Sequence, residues 1–246
     1  MKTIHINCDL GEGGGYDAQI MPLVSACNIA CGGHAGSTES MEATLLLAKK
    51  NGVEIGAHPS YPDKEHFGRT SISLSPKQLK GTIYDQIGQL QKIAESHGAQ
   101  ITHIKPHGAL YNDVAKDAGL ASIVVESILQ FEEKWKLYAP FNSEISRLAK
   151  GKIEVVFEAF ADRNYNPDYS LVSRQKSRAL ITKKEEVFKH VFSMFFEKEI
   201  RCKNGEEIEC FADTFCLHSD TPNSVEILQY LHKKFAENNI RIYRKK

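Results

Sequence analysis

Ile101-Thr-His-Ile-Lys-Pro-His-Gly108 is an apolar run that ends in ionisable side chains. Ile101 to Lys105 reads as a strand. His103, Lys105 and His107 fall at a spacing of two, so in an extended segment all three face the same side. Pro106 limits backbone pairing and suits a strand end. Gly108 and Asn112 extend the segment as a tight polar loop. Three basic groups on one face require something negative between them: a carboxylate, a phosphate or a metal-bound anion. The bland alternative is a set of exposed strand-end residues paired with surface carboxylates. Five further segments repeat the pattern of an apolar run closed by polar residues: Asp9-Leu-Gly-Glu12, Cys31-Gly-Gly-His34, Gly56-Ala-His-Pro59, Glu158-Ala-Phe-Ala-Asp-Arg163 and His218-Ser-Asp220. In parallel α/β barrels, strand C-termini and the loops after them are where chemistry is built. Six such clusters along one chain are expected to converge on one end of a barrel.

The segments between the clusters fit that reading. Thr3 to Cys8 alternates as one strand, Leu23 to Ala30 is an apolar run, and Val53 to Ala57 is a third short strand. Ser37 reads as the N-cap of a helix through Met41, Leu45 and Ala48, closed by Gly52. Ser75-Pro76 is a strong helix start, and Leu79, Ile83, Ile87, Leu90 and Ala94 follow on one face up to Gly98. A helix is expected near Leu120 to Phe131, with strands at Lys136 to Pro140, Val155 to Phe160 and Asp213 to Leu217. Thr182-Lys-Lys-Glu185 reads as a capping box opening a helix through Val187, Val191 and Phe195. Thr221-Pro222 reads as the start of a last helix carrying Ile227, Leu228, Leu231 and Phe235. One segment breaks the rhythm: Glu199 to Cys210 alternates around Asn204-Gly205 and predicts an inserted β-hairpin with a two-residue turn. Alternating strands and helices imply a parallel sheet with crossover helices. About seven strands favour an α/β barrel over an open doubly wound sheet, and residues 1–246 read as one domain.

Composition narrows the class. A chain of 246 residues can bury a sizeable core and has the usual length of a single barrel. Lys plus Arg and Asp plus Glu both number 31, so no basic excess points to nucleic acid. No run approaches the roughly 20 apolar residues of a membrane span. The start shows no signal-peptide apolar stretch. Six cysteines without a CxxC pair then read as reduced thiols in a cytoplasmic protein. The basic end Arg241-Ile-Tyr-Arg-Lys-Lys246 reads as solvated.

The chemical groups sort by type. Asp9 with Glu12, and Glu158 with Asp162 beside Arg163, are carboxylate pairs. Carboxylates gathered in one pocket raise each other's pKa, which suits general acid–base work; a salt-bridge network with Arg163 is the plainer reading. Asp9, His34, His58, His107, His218 and Asp220 supply imidazole and carboxylate ligands suited to zinc or manganese, although no HExxH motif is present. Glycines at 11, 13, 14, 15, 32, 33 and 36 permit backbone amides to approach an anion, or serve tight turns only. The absence of GxxxxGK[ST] excludes a Walker nucleotide site.

Cys8-Asp-Leu-Gly-Glu-Gly13, Ser25-Ala-Cys-Asn-Ile-Ala-Cys-Gly32 with His34-Ala-Gly36, Gly56-Ala-His-Pro-Ser-Tyr-Pro-Asp63, Phe67-Gly-Arg69, His103 through Asn112, Phe160-Ala-Asp-Arg-Asn-Tyr165, Leu171-Val-Ser-Arg174 and Asp213-Thr-Phe-Cys-Leu-His-Ser-Asp-Thr-Pro222 together resemble the LamB/YcsF family. The resemblance covers essentially the whole chain. It implies a seven-stranded β/α barrel of the glycoside hydrolase/deacetylase type. It also implies ATP-dependent cleavage of the lactam 5-oxoproline to glutamate, in concert with 5-oxoprolinase subunits B and C, with magnesium accompanying ATP. On that reading Asp9, Glu12, His58, Lys105, His107, Glu158 and Asp162 form the catalytic set. His34, Arg69, His103, Asn112, Arg163, Arg174, His218 and Asp220 would bind substrate or phosphate. Lys105, Arg163 and glycine-loop amides would neutralise phosphate, Asp9 or Glu158 would act as base, and His107 would shuttle a proton. The chain departs from the family pattern at Gly14 and Gly33 (usually Phe), Ser37 (Asp), Ser219 (Gly) and Thr70 (a second Arg). The two lost aromatics are expected to enlarge or loosen the pocket mouth. The other classes open to this sequence are a metal-dependent amide or carbohydrate-ester hydrolase and a non-catalytic subunit that binds substrate or a partner.

Overall fold

Short strands that are apolar on alternate positions bury one face only if helices cover it, and the chain supplies a helix after nearly every strand. The computed structural model describes residues 2–244. In chain order the elements are β1 (Lys2–Ile4), β2 (Ile6–Leu10), α1 (Asp17–Ile20), β3 (Ala26–Ala30), α2 (Thr38–Asn51), β4 (Glu54–His58), α3 (Pro76–Ser96), β5 (Ile101–Ile104), α4 (Gly108–Lys116) and α5 (Ala118–Ile128). They continue with β6 (Lys136–Pro140), α6 (Glu144–Ala149), β7 (Val155–Phe160), α7 (Lys184–Phe192), β8 (Glu199–Arg201), β9 (Glu207–Glu209), β10 (Thr214–Cys216), α8 (Ser224–Glu237) and β11 (Ile240–Ile242). Seven strands, all paired in parallel, close into a barrel in the order β10-β2-β3-β4-β5-β6-β7. The expected seven-stranded barrel is therefore what the chain forms.

Outward-facing Cys8, Leu10, Ile29, Ala57, Ile104, Leu137 and Phe215 are buried in one apolar core with Met41 and Leu45 of α2, Leu79 and Ile83 of α3, Val124 of α5 and Leu228 of α8. The helix signals act where the sequence placed them. Ser37 closes a capping box with Ser40, and Gly52 takes the left-handed conformation that ends α2. Ser75 caps α3 with Pro76 in its first turn. All five apolar residues expected on the buried face of α3 are buried.

Several local expectations give way. Thr3 to Cys8 is not one strand: it breaks at His5, because β1 leaves the barrel to pair with β11. The basic end is accordingly not free in solvent. Ile240 and Ile242 are buried, and Arg244 donates to the carbonyls of Pro22 and Val24; Lys245 and Lys246 lie outside the described residues. The expected polar loop after His107 is helix α4, whose Leu110 and Val114 pack inward. Thr182 forms no capping box, since α7 begins at Lys184 with Lys183 at the cap position and no side-chain bond there. Phe195 falls in a π-helical turn, Ser193–Glu197, beyond that helix. The last helix starts two residues after Pro222, behind Asn223 in a left-handed conformation. The hairpin β8–β9 is present and antiparallel, but its loop is Lys203-Asn204-Gly205 with only Gly205 at positive φ. That is the three-residue geometry in which a left-handed glycine follows the turn. Among the described residues, no helix is long and apolar enough to cross a membrane.

One glycine is required by the barrel itself. The register of β4 against β5 shifts at Ile55 and Gly56, and a Cβ on Gly56 would land inside the imidazole of His103. Overpacking of this kind costs about 1–3 kcal/mol. We expect Gly56→Ala to lower the thermal midpoint by roughly 5 °C. An unchanged midpoint would mean that the His103 ring is free to move aside.

Candidate active site

The barrel interior is polar where such barrels are usually filled by branched apolar side chains. Alternation along the strands turns Asn7 and Asp9 of β2, Asn28 of β3, His103 of β5, Glu158 of β7 and Thr214 of β10 inward, and all are buried. They form one hydrogen-bonded set. Asn7 Nδ2 donates to Thr214 Oγ1 (2.8 Å) and Glu158 Oε1 (2.9 Å), while Asn28 Nδ2 donates to Asn7 Oδ1 (2.8 Å) and Asp9 Oδ1 (2.7 Å). His103 bonds Asn28 Oδ1 through Nε2 (2.7 Å) and Thr102 Oγ1 through Nδ1 (2.8 Å), and stacks on Tyr138. Burial pushes the pKa of His103 down to about 3, so the ring is neutral.

Lys105 closes this set from above. Its Nζ lies 2.8 Å from Asp9 Oδ1, 3.0 Å from Glu158 Oε1 and 3.1 Å from Cys216 Sγ. Burial alone would pull the ammonium's pKa down, but the carboxylates of Asp9 and Glu158 hold it well above the ordinary lysine value. Burial would likewise raise Asp9, and His58 and Lys105 instead drag it well below the usual carboxylate range. The floor of the site is thus one ammonium held between two carboxylates.

Histidines build one wall. His58 bonds the Lys105 carbonyl through Nδ1 (2.7 Å), and His107 bonds the Phe67 carbonyl through Nε2 (2.9 Å). Their other nitrogens, His58 Nε2 and His107 Nδ1, are 2.9 Å apart. His34 Nε2 lies 2.9 Å from Glu12 Oε1. Burial lowers His34 to about 4. Burial and then the neighbouring Asp9 charge raise Glu12 to about 7. On the opposite side Asp162 accepts from His218 Nδ1 (2.9 Å), from the His218 backbone N–H (3.0 Å) and from Thr221 Oγ1 (2.5 Å). Burial opposes ionisation of Asp162, yet His218 and these hydrogen bonds bring it to about 2. With Nδ1 so fixed, His218 Nε2 faces Asp9 Oδ2 at 3.9 Å.

The long connection after β7 completes the mouth. Arg163 Nη2 donates to the Val172 carbonyl (2.8 Å). Arg69 and Arg174 both pair with Asp220 Oδ2, Arg174 at 3.2 Å. The enclosed cavity measures about 660 Å³, within the range of small-molecule sites. Among the described residues, Glu158 Oε2, Tyr111 Oη and Arg163 Nε are buried without a hydrogen-bond partner, and all three residues line this cavity.

Twelve of the fifteen residues expected at the site line the cavity: Asp9, Glu12, His58, Arg69, Lys105, His107, Asn112, Glu158, Arg163, Arg174, His218 and Asp220. His34, His103 and Asp162 stand behind it. His103 cannot serve as a ligand-binding group, because both ring nitrogens are engaged inside the barrel. The face of three cations expected from His103, Lys105 and His107 does not exist, since His103 is neutral and burial and neighbouring histidines push His107 well below its ordinary value. Lys105, expected to neutralise phosphate, directs its donors to Asp9, Glu158 and Cys216 in this structure. The glycines at 13, 14 and 15 lie outside the cavity lining and form no anion cradle there. Gly14 has open space around it. Gly33 is buried, with Ser60 Oγ and Gln86 Oε1 occupying the room for a side chain. Neither glycine is among the residues that line the cavity. The possible metal ligands divide into two groups, Glu12 with His34, His58 and His107, and Asp9 with Cys216 and His218; Asp220 belongs to neither. Asn7, Asn28, Tyr111, Thr214 and Cys216 escaped the sequence reading. Counting by twos from Asp9, Glu158 and the strand partners would have found all but Tyr111, which sits on the unexpected helix α4.

The match to known proteins runs the length of this architecture. Residues 4–246 match the LamB/YcsF family. The chain belongs to that family. It is 41% identical over 245 residues to the 5-oxoprolinase A subunit of Pyrococcus horikoshii, covering 97% of this chain and 96% of that one. The crystal structure of a lactam utilization protein from Thermus thermophilus superposes with a TM-score of 0.91 at 33% identity, over 99% of this chain and 100% of the other. The peptidoglycan deacetylase PdaC of Bacillus subtilis shares the fold alone, with a TM-score of 0.52 at 15% identity over 98% of this chain and 86% of that one. Ser37 caps α2, and Thr70 lines the cavity.

Two measurements follow from the electrostatics. Lys105→Met leaves Asp9 and Glu158 buried beside each other without a counter-ion, and we expect a loss of about 3–5 kcal/mol in urea unfolding. A loss below about 1 kcal/mol would show that the carboxylates are solvated or protonated instead. His103 and the buried His190 have pKa values pushed down by burial, to about 3 and about 4. The unfolded chain takes up these protons near pH 6.5 and the native state does not. Each histidine therefore contributes stability that is full above pH 6.5 and falls as the pH drops, by about 2 kcal/mol at pH 5. Glu12, raised to about 7, works in the opposite direction over the same range, so urea midpoints at pH 7.5 and pH 5 are compared between wild type and His190→Phe; the same pH dependence in both would contradict a buried neutral ring at His190.

Proposed function

We propose that this chain opens the lactam ring of 5-oxoproline to give glutamate, as the A subunit of an ATP-coupled 5-oxoprolinase working with subunits B and C. The observation that carries the reading is the cavity's polarity in a chain of this family: a carboxylate floor under an arginine mouth, with unpartnered polar atoms between. The substrate carries a carboxylate at one end and a cyclic amide at the other. Arg163 and Arg174 suit the carboxylate. Glu158 Oε2 can accept the lactam N–H, and the Tyr111 hydroxyl can donate to the lactam oxygen. A five-membered lactam is a stable amide; transfer of the terminal phosphoryl of ATP to its oxygen, with release of ADP, activates the ring carbon, and after water has added and the C–N bond has broken the resulting acyl phosphate is hydrolysed by a second water to glutamate and phosphate. Asp9, held ionised, takes a proton from the water that attacks the carbonyl carbon. As the C–N bond breaks, the ring nitrogen needs a proton, and His218, whose Nε2 faces Asp9, is oriented to take up the proton that Asp9 drew from the water and pass it on. Asp162 acts through His218 as a positioning residue, by the same logic that fixes a catalytic histidine in hydrolase triads. The proton-transfer role expected of His107, whose ring nitrogens are both engaged, thus passes to His218.

The test is glutamate release from 5-oxoproline by this chain, with and without subunits B and C and with and without ATP. His218→Asn is expected to lower kcat by roughly 10²–10⁴-fold with KM little changed. Arg163→Met should instead raise KM. Wild-type turnover in Asp9→Asn and His218→Asn would end the proposal. ATP-independent release of acetate from an acetylated sugar would favour the ester-hydrolase class in its place.

A further inference from the structure

Glu12, His34, His58 and His107 each bring one donor atom within 4.8 Å of the others. Hydrogen bonds and ring planes decide which of them can aim at a common point. A carbonyl only accepts, so the ring nitrogens facing the carbonyls of Lys105 and Phe67 carry the hydrogens: Nδ1 of His58 and Nε2 of His107. In neutral rings the opposite nitrogens, His58 Nε2 and His107 Nδ1, are then lone-pair acceptors facing each other at 2.9 Å, and Asp9 Oδ2 lies 3.3 Å from His58 Nε2 as a further acceptor beside the same gap. Two lone pairs at that distance repel unless positive charge lies between them. The two rings stand at 85° to each other, so the lone pairs approach one gap from different planes. Glu12 Oε1 faces the same gap, 3.5 Å from His107 Nδ1 and 3.9 Å from His58 Nε2. These separations straddle the edge of about 3.3 Å that a tetrahedron has when metal–ligand bonds are about 2.0–2.1 Å.

His34 fails the same test. Its ring lies flat on that of His107, with centroids 3.6 Å apart and planes within 4°. Parallel stacked rings hold their in-plane lone pairs in two separate parallel planes, so one ion cannot lie in both. His34 also stands outside the cavity lining, whereas Glu12, His58 and His107 line it. Its Nε2–H donates to Glu12 Oε1 at 2.9 Å, the kind of bond that orients a ligating carboxylate.

We propose that His58 Nε2, His107 Nδ1 and Glu12 Oε1 bind one divalent transition metal of the zinc type, leaving a coordination position open toward the cavity. His34 is a positioning residue for Glu12. Imidazole and carboxylate donors suit zinc, manganese or cobalt, and the two backbone carbonyls fix both imidazole tautomers for binding. The site adjoins the proposed lactam chemistry but rests on ring geometry, and it stands whichever reaction the cavity carries. The rival occupant is a single proton shared between His58 and His107.

Metal content separates the two without any activity measurement. The full chain is stripped with chelator, loaded with zinc, desalted and analysed for metal, and its thermal midpoint is compared with and without zinc. Wild type and His34→Phe, which keeps the ring stack, are expected to retain about one zinc per chain. Glu12→Gln and His107→Asn should bind at least about tenfold more weakly. A cobalt-loaded sample should show the intense visible absorption of a tetrahedral site. Wild type that retains no zinc, manganese or cobalt overturns the proposal. So does full retention by the Glu12→Gln/His107→Asn double variant, which would mark the ion as adventitious. Loss of zinc in His34→Phe as complete as in His107→Asn overturns the ligand assignment. Turnover is not read, so failure of the lactam reading leaves these outcomes unaffected.

Discussion

The ammonium of Lys105, held between Asp9 and Glu158, is the constraint around which the rest of this barrel is arranged. Three charges removed from water cost several kcal/mol each unless they are paired and hydrogen-bonded. The barrel meets that requirement by giving up an apolar interior. Asn7 and Asn28 supply the remaining hydrogen bonds, and His103 and Thr214 anchor those amides in turn. Strands β2, β3, β5, β7 and β10 each contribute to this set, so a slip of one residue in any of them would turn a charge or an amide outward. Register and site chemistry are therefore specified by the same side chains.

This shared specification explains why residues with no route to a ligand carry so much of the site. Asp162 touches nothing in the cavity, yet it determines which nitrogen of His218 faces Asp9. Lys105 lines the cavity but its donors are occupied, and its effect is to hold two carboxylates side by side. His103 lies deeper still and acts through Asn28 on Asp9. Each of these groups is ionisable and buried, and its hydrogen bonds show that it positions another residue.

The barrel and its rim were legible because strand ends carry a period-two signal that survives in the sequence. The capping serines at 37 and 75 were equally legible, since a cap is a local contact. What failed to show was decided by partners distant in sequence. Thr3 to Cys8 alternates without a break, and only the arrival of β11, more than 230 residues later, separates β1 from the barrel. Gly108 and Asn112 look like turn residues, but Gly108 opens α4 at a φ of 55°, and Ala109, Leu110 and Tyr111 behind it are buried. The charge of Lys105 could be read from its strand; that two carboxylates would consume it could not. The same limit applies to Gly33, where an absent side chain suggested open space and Gln86, from α3, fills it.

The distribution of charge gives the cavity a direction. One ammonium between two carboxylates leaves the floor negative, whereas Arg69, Lys116, Arg163 and Arg174 outnumber Asp168 and Asp220 on the outer lining and leave the mouth positive. Burial and the nearby charge of Arg174 pull the Arg163 guanidinium below its ordinary value, which reflects how closely these cations are crowded. A ligand with an anionic end and a neutral amide end has one favourable orientation in that field, its carboxylate toward the arginines and its amide toward Asp9 and Glu158. A reversed ligand would set carboxylate against carboxylate and leave Arg163 Nε without a partner. Orientation is then fixed before any specific hydrogen bond forms, and the unpartnered atoms of Glu158, Tyr111 and Arg163 refine it.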